Sequence, residues 1–453
     1  MAFTALSLYT HLLSPEQYGL YTLLLTGTVF LHNTLYNWLT AGTLRFWYGK
    51  TYSTPVFINT LSVSHIKISL YLLLIALLFV FYALFNKNLE ASWVVSSYFL
   101  LLSLTLFFIT QCIFSVEIKP TTYAYLGISS SILSLLIGTL LAYSGFGALG
   151  VITGITLGTL IPSLFVFKDI WLPFNKELSD KTLAKKLLKY GIPFASAAIL
   201  EEVTKVSDRF MLAWLHDKSQ AGLYAVGYDL SGNSIIVLMT AINLAAYPVI
   251  IKLFENEGYD TAIDYFRHYV ILLLGVSIPA VIGLNLVGPD LVHLLIDEQY
   301  QESVLSLLPI ITLAIFAMGL QVTYFDLAFQ LAHYVKAIVR VRIIIALVNL
   351  LLNYILIPKM GMMGAAIATL LSFILGSVLS AVIGRSYFKL PFPFMEFFKI
   401  LISALVMGIC LWWLKDLRGW GWLILQLSVG IASYLLMITL FNVMNIRSYY
   451  QFT

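Results

Sequence analysis

Apolar residues recur in fourteen runs along the 453-residue chain, near 1–13, 17–42, 67–85, 91–116, 121–143, 146–167, 190–215, 220–251, 268–288, 303–330, 336–357, 362–384, 397–414 and 421–442. Most are long enough to cross about 30 Å of hydrocarbon as a single helix. Peptide groups inside hydrocarbon must be bonded within the chain, so runs of this length fold as helices. The expected class is an all-α polytopic membrane protein of about 14 transmembrane helices. Composition agrees: 11% of the residues are charged, against about 25% in a soluble domain. The connections are short, and none is long enough for a folded domain. No phosphate-cradling G-x-x-x-x-G-K-[ST] loop occurs, so any transport draws on a gradient or a partner. Cys112 and Cys410 both sit in apolar runs and offer neither a disulfide framework nor a metal cluster.

Basic residues orient the runs. With the N-terminus and the even-numbered connections inside, nineteen Lys and Arg fall on the inner side and five on the outer. This bias predicts cytoplasmic termini. Residues 168–189 carry six lysines at the midpoint of the chain. They read as a cytoplasmic linker, either solvated or an amphipathic helix on the membrane surface with Leu183, Leu187 and Leu188 on one side.

One run breaks the apolar rule. Residues 201–209 read E-E-V-T-K-V-S-D-R, with five charges in the middle of the seventh span. Each costs about 2.5–3.5 kcal/mol at the bilayer centre. At 100° per residue, Glu201, Glu202, Lys205, Asp208 and Arg209 share an arc of about 120°. That face meets protein or water. It is either a self-neutralising ladder of ion pairs or the lining of a substrate and ion pathway. Lys205 and Arg209 are basic residues deep in a span and suit an anionic substrate. Arg45 and Lys119, at the inner ends of the second and fourth spans, are weaker candidates that also fit simple anchoring. Asp229 and Asp326 are intramembrane acids that line a cavity or pair with a neighbouring helix.

The chain repeats itself. Gly19-Leu20-Tyr21 opens the second span and Gly222-Leu223-Tyr224 the eighth, each after a short polar turn. Gly145-Phe146-Gly147-Ala148 before the sixth span echoes Gly361-Met362-Met363-Gly364-Ala365 before the twelfth. Spans one to six thus match seven to twelve in order and orientation, the parallel arrangement of two-lobed transporters. The expected division is an N-lobe at 1–167, a linker at 168–189, a C-lobe at 190–384 and two peripheral helices at 385–453. The first span is about twelve residues short against the seventh, as a start upstream of Met1 or a short first helix would explain.

These motifs, with Leu187-Leu188-Lys189-Tyr190-Gly191-Ile192-Pro193 and Ile357-Pro358-Lys359-Met360-Gly361 between them, resemble the polysaccharide biosynthesis and export family. Its members include the O-antigen flippases of the multidrug/oligosaccharidyl-lipid/polysaccharide superfamily. The resemblance implies inner-membrane flipping of an undecaprenyl-diphosphate-linked oligosaccharide between two six-helix lobes. It implies membrane lipid and the lipid-linked glycan as partners, polysaccharide polymerase machinery nearby, no nucleic acid and a working monomer. Lys205, Arg209, Arg45 and Lys119 would bind the diphosphate.

No cofactor is expected beyond a coupling ion. Asn349 and Asn353 are one helical turn apart in span eleven, and Thr369 lies early in span twelve. With Asp208 they would make an oxygen cage for sodium, similar to the site of the lipid II flippase but with Asn353 where that site has a carboxylate. A proton on Asp208 or Glu201 serves as well, and interhelical hydrogen bonding is the plain alternative. The competing functions are a cation-coupled multidrug or toxin antiporter and an integral-membrane polymerase or glycosyltransferase. The first wants an apolar cavity with acids; the second wants a catalytic outer face that the short turns do not supply.

Overall fold

The computed structural model describes residues 2–48, 52–85, 90–172, 174–256, 259–332, 334–415 and 419–443, except the side chains of residues 169, 193–198, 201, 259–261 and 335. Every described regular element is helical. Ten helical segments are long and apolar enough to cross a membrane, among the described residues. Their outer surfaces are apolar as well: Leu78 and Phe85 are 69% and 76% exposed. So wide an apolar exterior suits lipid and not water.

The chain forms two compact units, Phe3–Gly222 and Leu223–Thr453. The first contains α1 (Ala2–Leu12), α2 (Pro15–Leu35), α3 (Asn37–Phe46), α4 (Thr54–Phe85), α5 (Ala91–Val116), α6 (Pro120–Leu141), α7 (Gly147–Phe165) and α8 (Lys181–Leu215). It also takes the first turn of α9 (Lys218–Asn256). The second contains the rest of α9, then α10 (Tyr259–Leu295), α11 (Glu298–Leu320), α12 (Val335–Met360), α13 (Met362–Gly384), α14 (Phe394–Trp412) and α15 (Trp420–Leu440).

This division differs from one placed at 168–189. Asp180 caps α8 by accepting from the Leu183 amide at 2.8 Å, and the helix then runs unbroken to Leu215. Leu183 and Leu187 are fully buried in the first unit's core beside Tyr36, Leu39, Leu61 and Ile113, while Leu188 is exposed. The lysine-rich stretch is therefore not a helix lying on the membrane surface. Its leucines are held by protein, and Lys185, Lys186 and Lys189 remain outside. Glycine makes the fit possible. A Cβ on Gly42 would lie 2.7 Å from the Leu187 side chain, and one on Gly191 would lie 2.5 Å from the Trp38 backbone.

The sequence echoes are structural. Gly147 and Gly361 start α7 and α13 with nearly the same backbone, φ 54° and ψ −136° against φ 55° and ψ −133°. Only glycine takes that conformation without strain. The matching register is Gly147-x-x-Gly150 with Gly361-x-x-Gly364. Gly150 and Gly364 each abut the backbone of the preceding helix, at 2.9 Å from Leu141 C and 2.5 Å from Leu356 O for an added Cβ. Gln17, from the first turn of α2, accepts the Ala148 amide at 2.9 Å and so caps α7.

The glycines of the two Gly-Leu-Tyr echoes pack against each other within the first unit. A Cβ on Gly19 would fall 1.8 Å from Lys218 O, and one on Gly222 would fall 2.1 Å from Pro15 O. Each glycine faces the carbonyl four positions before the other, so the crossing has a local pseudo-twofold character.

In the second unit, α14 and α15 pack on α10 through Val287, Met407, Leu411 and Leu423. Tyr434 donates to Gly275 O at 2.6 Å, and Gln426 donates to Asp290 Oδ2 at 2.7 Å. Trp412, Trp413, Trp420 and Trp422 stay exposed around the turn, as in an interfacial belt.

Gly222→Val is expected to destabilise the purified protein by about 1–3 kcal/mol or more, the range of overpacking. Gly232 has open space around it, so Gly232→Ala in the same helix should stabilise by about 0.5–1 kcal/mol. Thermal unfolding in detergent reads both. Equal behaviour of the two variants would remove the crossing from the account.

Candidate functional site

The charged face of α8 belongs to the first unit. Lys205 Nζ pairs with Glu202 Oε1 at 3.1 Å, with side chains 28% and 17% exposed. Arg209 Nη1 donates to Thr26 Oγ1 of α2 at 3.1 Å. Thr26 donates in turn to the Thr22 carbonyl. Asp208 is buried, as are its neighbours Thr204 and Ser207. The face thus joins a sealed acid to cations that keep contact with the surroundings. The Glu201 side chain lies outside the described residues. Of the weaker candidates, Arg45 is exposed at the end of α3. Lys119 pairs with Glu117 at 2.8 Å and sits over the Phe114 ring.

Asn349, Asn353 and Thr369 belong to the second unit, where all three are fully buried. Asn353 Nδ2 donates to Asn349 Oδ1 at 3.1 Å. Thr369 Oγ1 donates to Ala365 O at 2.9 Å and lies 3.2 Å from Tyr224 Oη. Tyr224 was read in the sequence only as part of a repeat motif; its hydroxyl joins the threonine predicted to hold an ion. No group of three or more His, Cys, Asp or Glu side chains is placed to hold a metal, among the described residues. The side chains brought together here, two carboxamides and two hydroxyls, are neutral.

Asp326 pairs instead of lining open space. It follows a π-turn at Gln321–Phe325 and is 1% exposed. Ser380 of α13 donates to its Oδ1 at 2.8 Å, and Arg342 Nη2 of α12 stands 4.0 Å from its Oδ2. Arg342, with its side chain 17% exposed, thus has a structural partner in Asp326.

A further buried group escaped the sequence reading. His32 of α2 lies 3.2 Å from Thr105 Oγ1 of α5 and stacks on Tyr36. Tyr36 Oη meets Ser69 Oγ at 3.0 Å, and Ser69 lies 3.4 Å from His65 Nδ1. These residues sit three or four apart on α2 and α4, a spacing visible in the sequence; their cross-helix pairing was not. The second unit also holds a wholly apolar cavity of about 390 Å³ between α10, α11 and the start of α14, lined by residues such as Leu274, Ile278, Phe316 and Phe397.

With this geometry in hand, likeness to known proteins is informative. Residues 8–305 match the family described as polysaccharide biosynthesis protein. The chain belongs to that family. The probable flippase AglR of Haloferax volcanii is 25% identical over 332 residues, 70% of this chain and 66% of its own length. The chain thus spans just under two thirds of that relative. The probable low-salt glycan biosynthesis flippase Agl15 of the same organism is 38% identical over 100 residues, 22% of this chain and 21% of its own. This family member shares its fold with the lipid II flippase MurJ in an inward closed conformation, with a TM-score of 0.78, 16% identity and coverage of 97% and 96% of the two chains. An inward-facing multidrug resistance MATE family transporter of the MOP superfamily follows at a TM-score of 0.67, 15% identity and coverage of 85% and 93%.

The Asp326 cluster yields a stability test. Asp326→Asn should lower stability by about 1.5–3 kcal/mol, the worth of hydrogen bonds to a charged group. The double variant Asp326→Asn, Arg342→Gln should lose less than the sum of the single changes. Additive melting shifts would mean that the two groups do not interact.

Proposed function

We propose that the chain is a flippase that moves a polyprenyl-diphosphate-linked oligosaccharide across the cytoplasmic membrane for surface polysaccharide or O-antigen assembly, by ion-coupled alternating access. One observation carries this reading. Inside an apolar membrane fold, α8 carries Lys205 and Arg209 part-exposed, the Lys205 side chain at 28%. Names of relatives point the same way, since AglR is described as a probable flippase.

The chemistry follows from the substrate class. A diphosphate and its sugars must cross about 30 Å of hydrocarbon, while the polyprenyl tail can stay in lipid. Arg209 and Lys205 would take the phosphate oxygens by charge-assisted hydrogen bonds. Glu202 and Thr26 hold the two cations, so phosphate would compete with partners already in place. Arg45 and Lys119 would gather the headgroup at the inner surface, the side to which we assign both termini. The apolar cavity beside α14 suits the tail. Polymerase machinery would take the flipped glycan, and a monomer suffices for the movement.

Coupling rests on Asp208, with Glu201, Asn349, Asn353 and Thr369 as the remaining groups. Sodium would use the neutral oxygens of the second unit and the Asp208 carboxylate; a proton would use Asp208 or Glu201 alone. A multidrug antiporter is the competing reading, and accessible cations on α8 favour an anionic substrate over it.

In proteoliposomes, Arg209→Gln is expected to slow movement of a fluorescent polyprenyl-diphosphate glycan by about tenfold or more, the weight of a charge-assisted hydrogen bond. Asp208→Asn should remove the dependence on a sodium or proton gradient. Full transport by Arg209→Gln would sink the phosphate role. Export of cationic drugs with no glycan movement would favour the antiporter.

A further inference from the structure

A cavity of about 300 Å³ lies within the first unit, between α2, α3, the end of α5 and the start of α6. This volume is at the small end of ligand pockets. Three carboxamides line it, Asn33, Asn37 and Gln111, with the hydroxyls of Thr40, Ser115 and Tyr123. The rings of His32, Phe108 and Tyr123 also line it, and among the described residues no carboxylate, ammonium or guanidinium takes part in the lining.

The plain role of such amides in a membrane helix is to bond one helix to another. Asn353 and Asn349 do that in the second unit. The pocket amides do not. Asn37 Oδ1 accepts only from Thr40, on its own helix, at 3.0 Å. Asn33 and Gln111 have no side-chain hydrogen bond among the described residues. The Gln111 amide lies across from Gly127 of α6, where an added Cβ would come within 3.4 Å of its Nε2. The wall behind them is fixed: His32 is held by Thr105 and packs on Phe108 at 4.8 Å.

We propose that this pocket is a sugar subsite that holds one neutral pyranose ring of the translocated glycan. Each carboxamide offers a donor and an acceptor together, the pattern that adjacent sugar hydroxyls require. The aromatic faces suit the C–H face of a pyranose, since the ring faces carry negative charge and the sugar edge is weakly positive. A phosphate would find no cation in the lining, and an apolar drug would leave the Asn33 and Gln111 amides desolvated without partners. The subsite rests on the flippase reading for its substrate, but its chemistry can be tested apart from transport.

Two measurements on the full chain decide it. The first titrates the detergent-purified protein with free glucose, galactose, mannose, rhamnose and N-acetylglucosamine and follows its melting temperature, with inorganic pyrophosphate as the contrast. At least one sugar should stabilise it saturably. Gln111→Leu, Asn33→Ala and Gln111→Glu should each weaken that binding by about tenfold, the loss of a hydrogen bond left without its partner. Gln111→Glu keeps the size and acceptors of the side chain and removes its donors, so loss of binding in a variant that elutes and melts like the parent is not a folding defect. The second compares movement of polyprenyl-diphosphate-N-acetylglucosamine with that of bare polyprenyl diphosphate in proteoliposomes. The variants should slow the glycosylated lipid and leave the bare lipid unchanged. No saturable sugar binding by the parent, or equal binding by parent and variants, overturns the subsite. If the parent moves neither lipid while sugar binding and its loss persist, the flippase reading fails and the subsite stands.

Discussion

An ionised side chain in hydrocarbon must find a partner or water, and this requirement organises the polar interior. Asp326 meets it with Ser380 and Arg342, Lys205 with Glu202, and Arg209 with Thr26. The solutions are not equivalent. The Asp326 cluster is centred on a buried carboxylate, with Asp326 1% and Ser380 0% exposed. The α8 pair keeps part of its surface open. A closed cluster holds helices together; an open one can exchange its partner for a substrate oxygen.

Close helix approach is the second constraint, and glycine meets it. At the crossing of α2 with the first turn of α9, at Gly191 in the α3–α8 contact and in the hairpins ending at Gly150 and Gly364, the neighbouring atoms are backbone or the root of a side chain. No side chain could give way there. Gly19, Gly222, Gly150 and Gly364 also carry the sequence echoes, so the echoes are most visible where substitution is least tolerated.

Polar groups without charge divide in the same manner. The Asn349–Asn353 pair is satisfied internally, and the Tyr224 hydroxyl lies within reach of Thr369. The amides of Asn33 and Gln111 make no side-chain hydrogen bond among the described residues. In a helix bundle facing lipid, an unspent amide is costly unless something polar comes to it. The contrast between the two clusters separates structure from recognition better than residue type does.

Much of this was legible in the sequence. Run length against bilayer thickness determined the all-helical membrane class, because peptide groups in hydrocarbon leave no alternative. The 100° spacing of residues 201–209 put their charges on one side of a helix, since that depends on helical geometry alone. Tertiary structure decided which neighbours those residues meet. A lysine-rich midpoint reads as a linker by composition, yet Leu183 and Leu187 sit in the first unit's core because Gly42 and Gly191 let α8 approach. Asp326 found Arg342, and His32 found Thr105, across dozens of residues or fewer than twenty. Such pairings depend on which helix faces packing brings together, and a period of 3.6 residues says nothing about that.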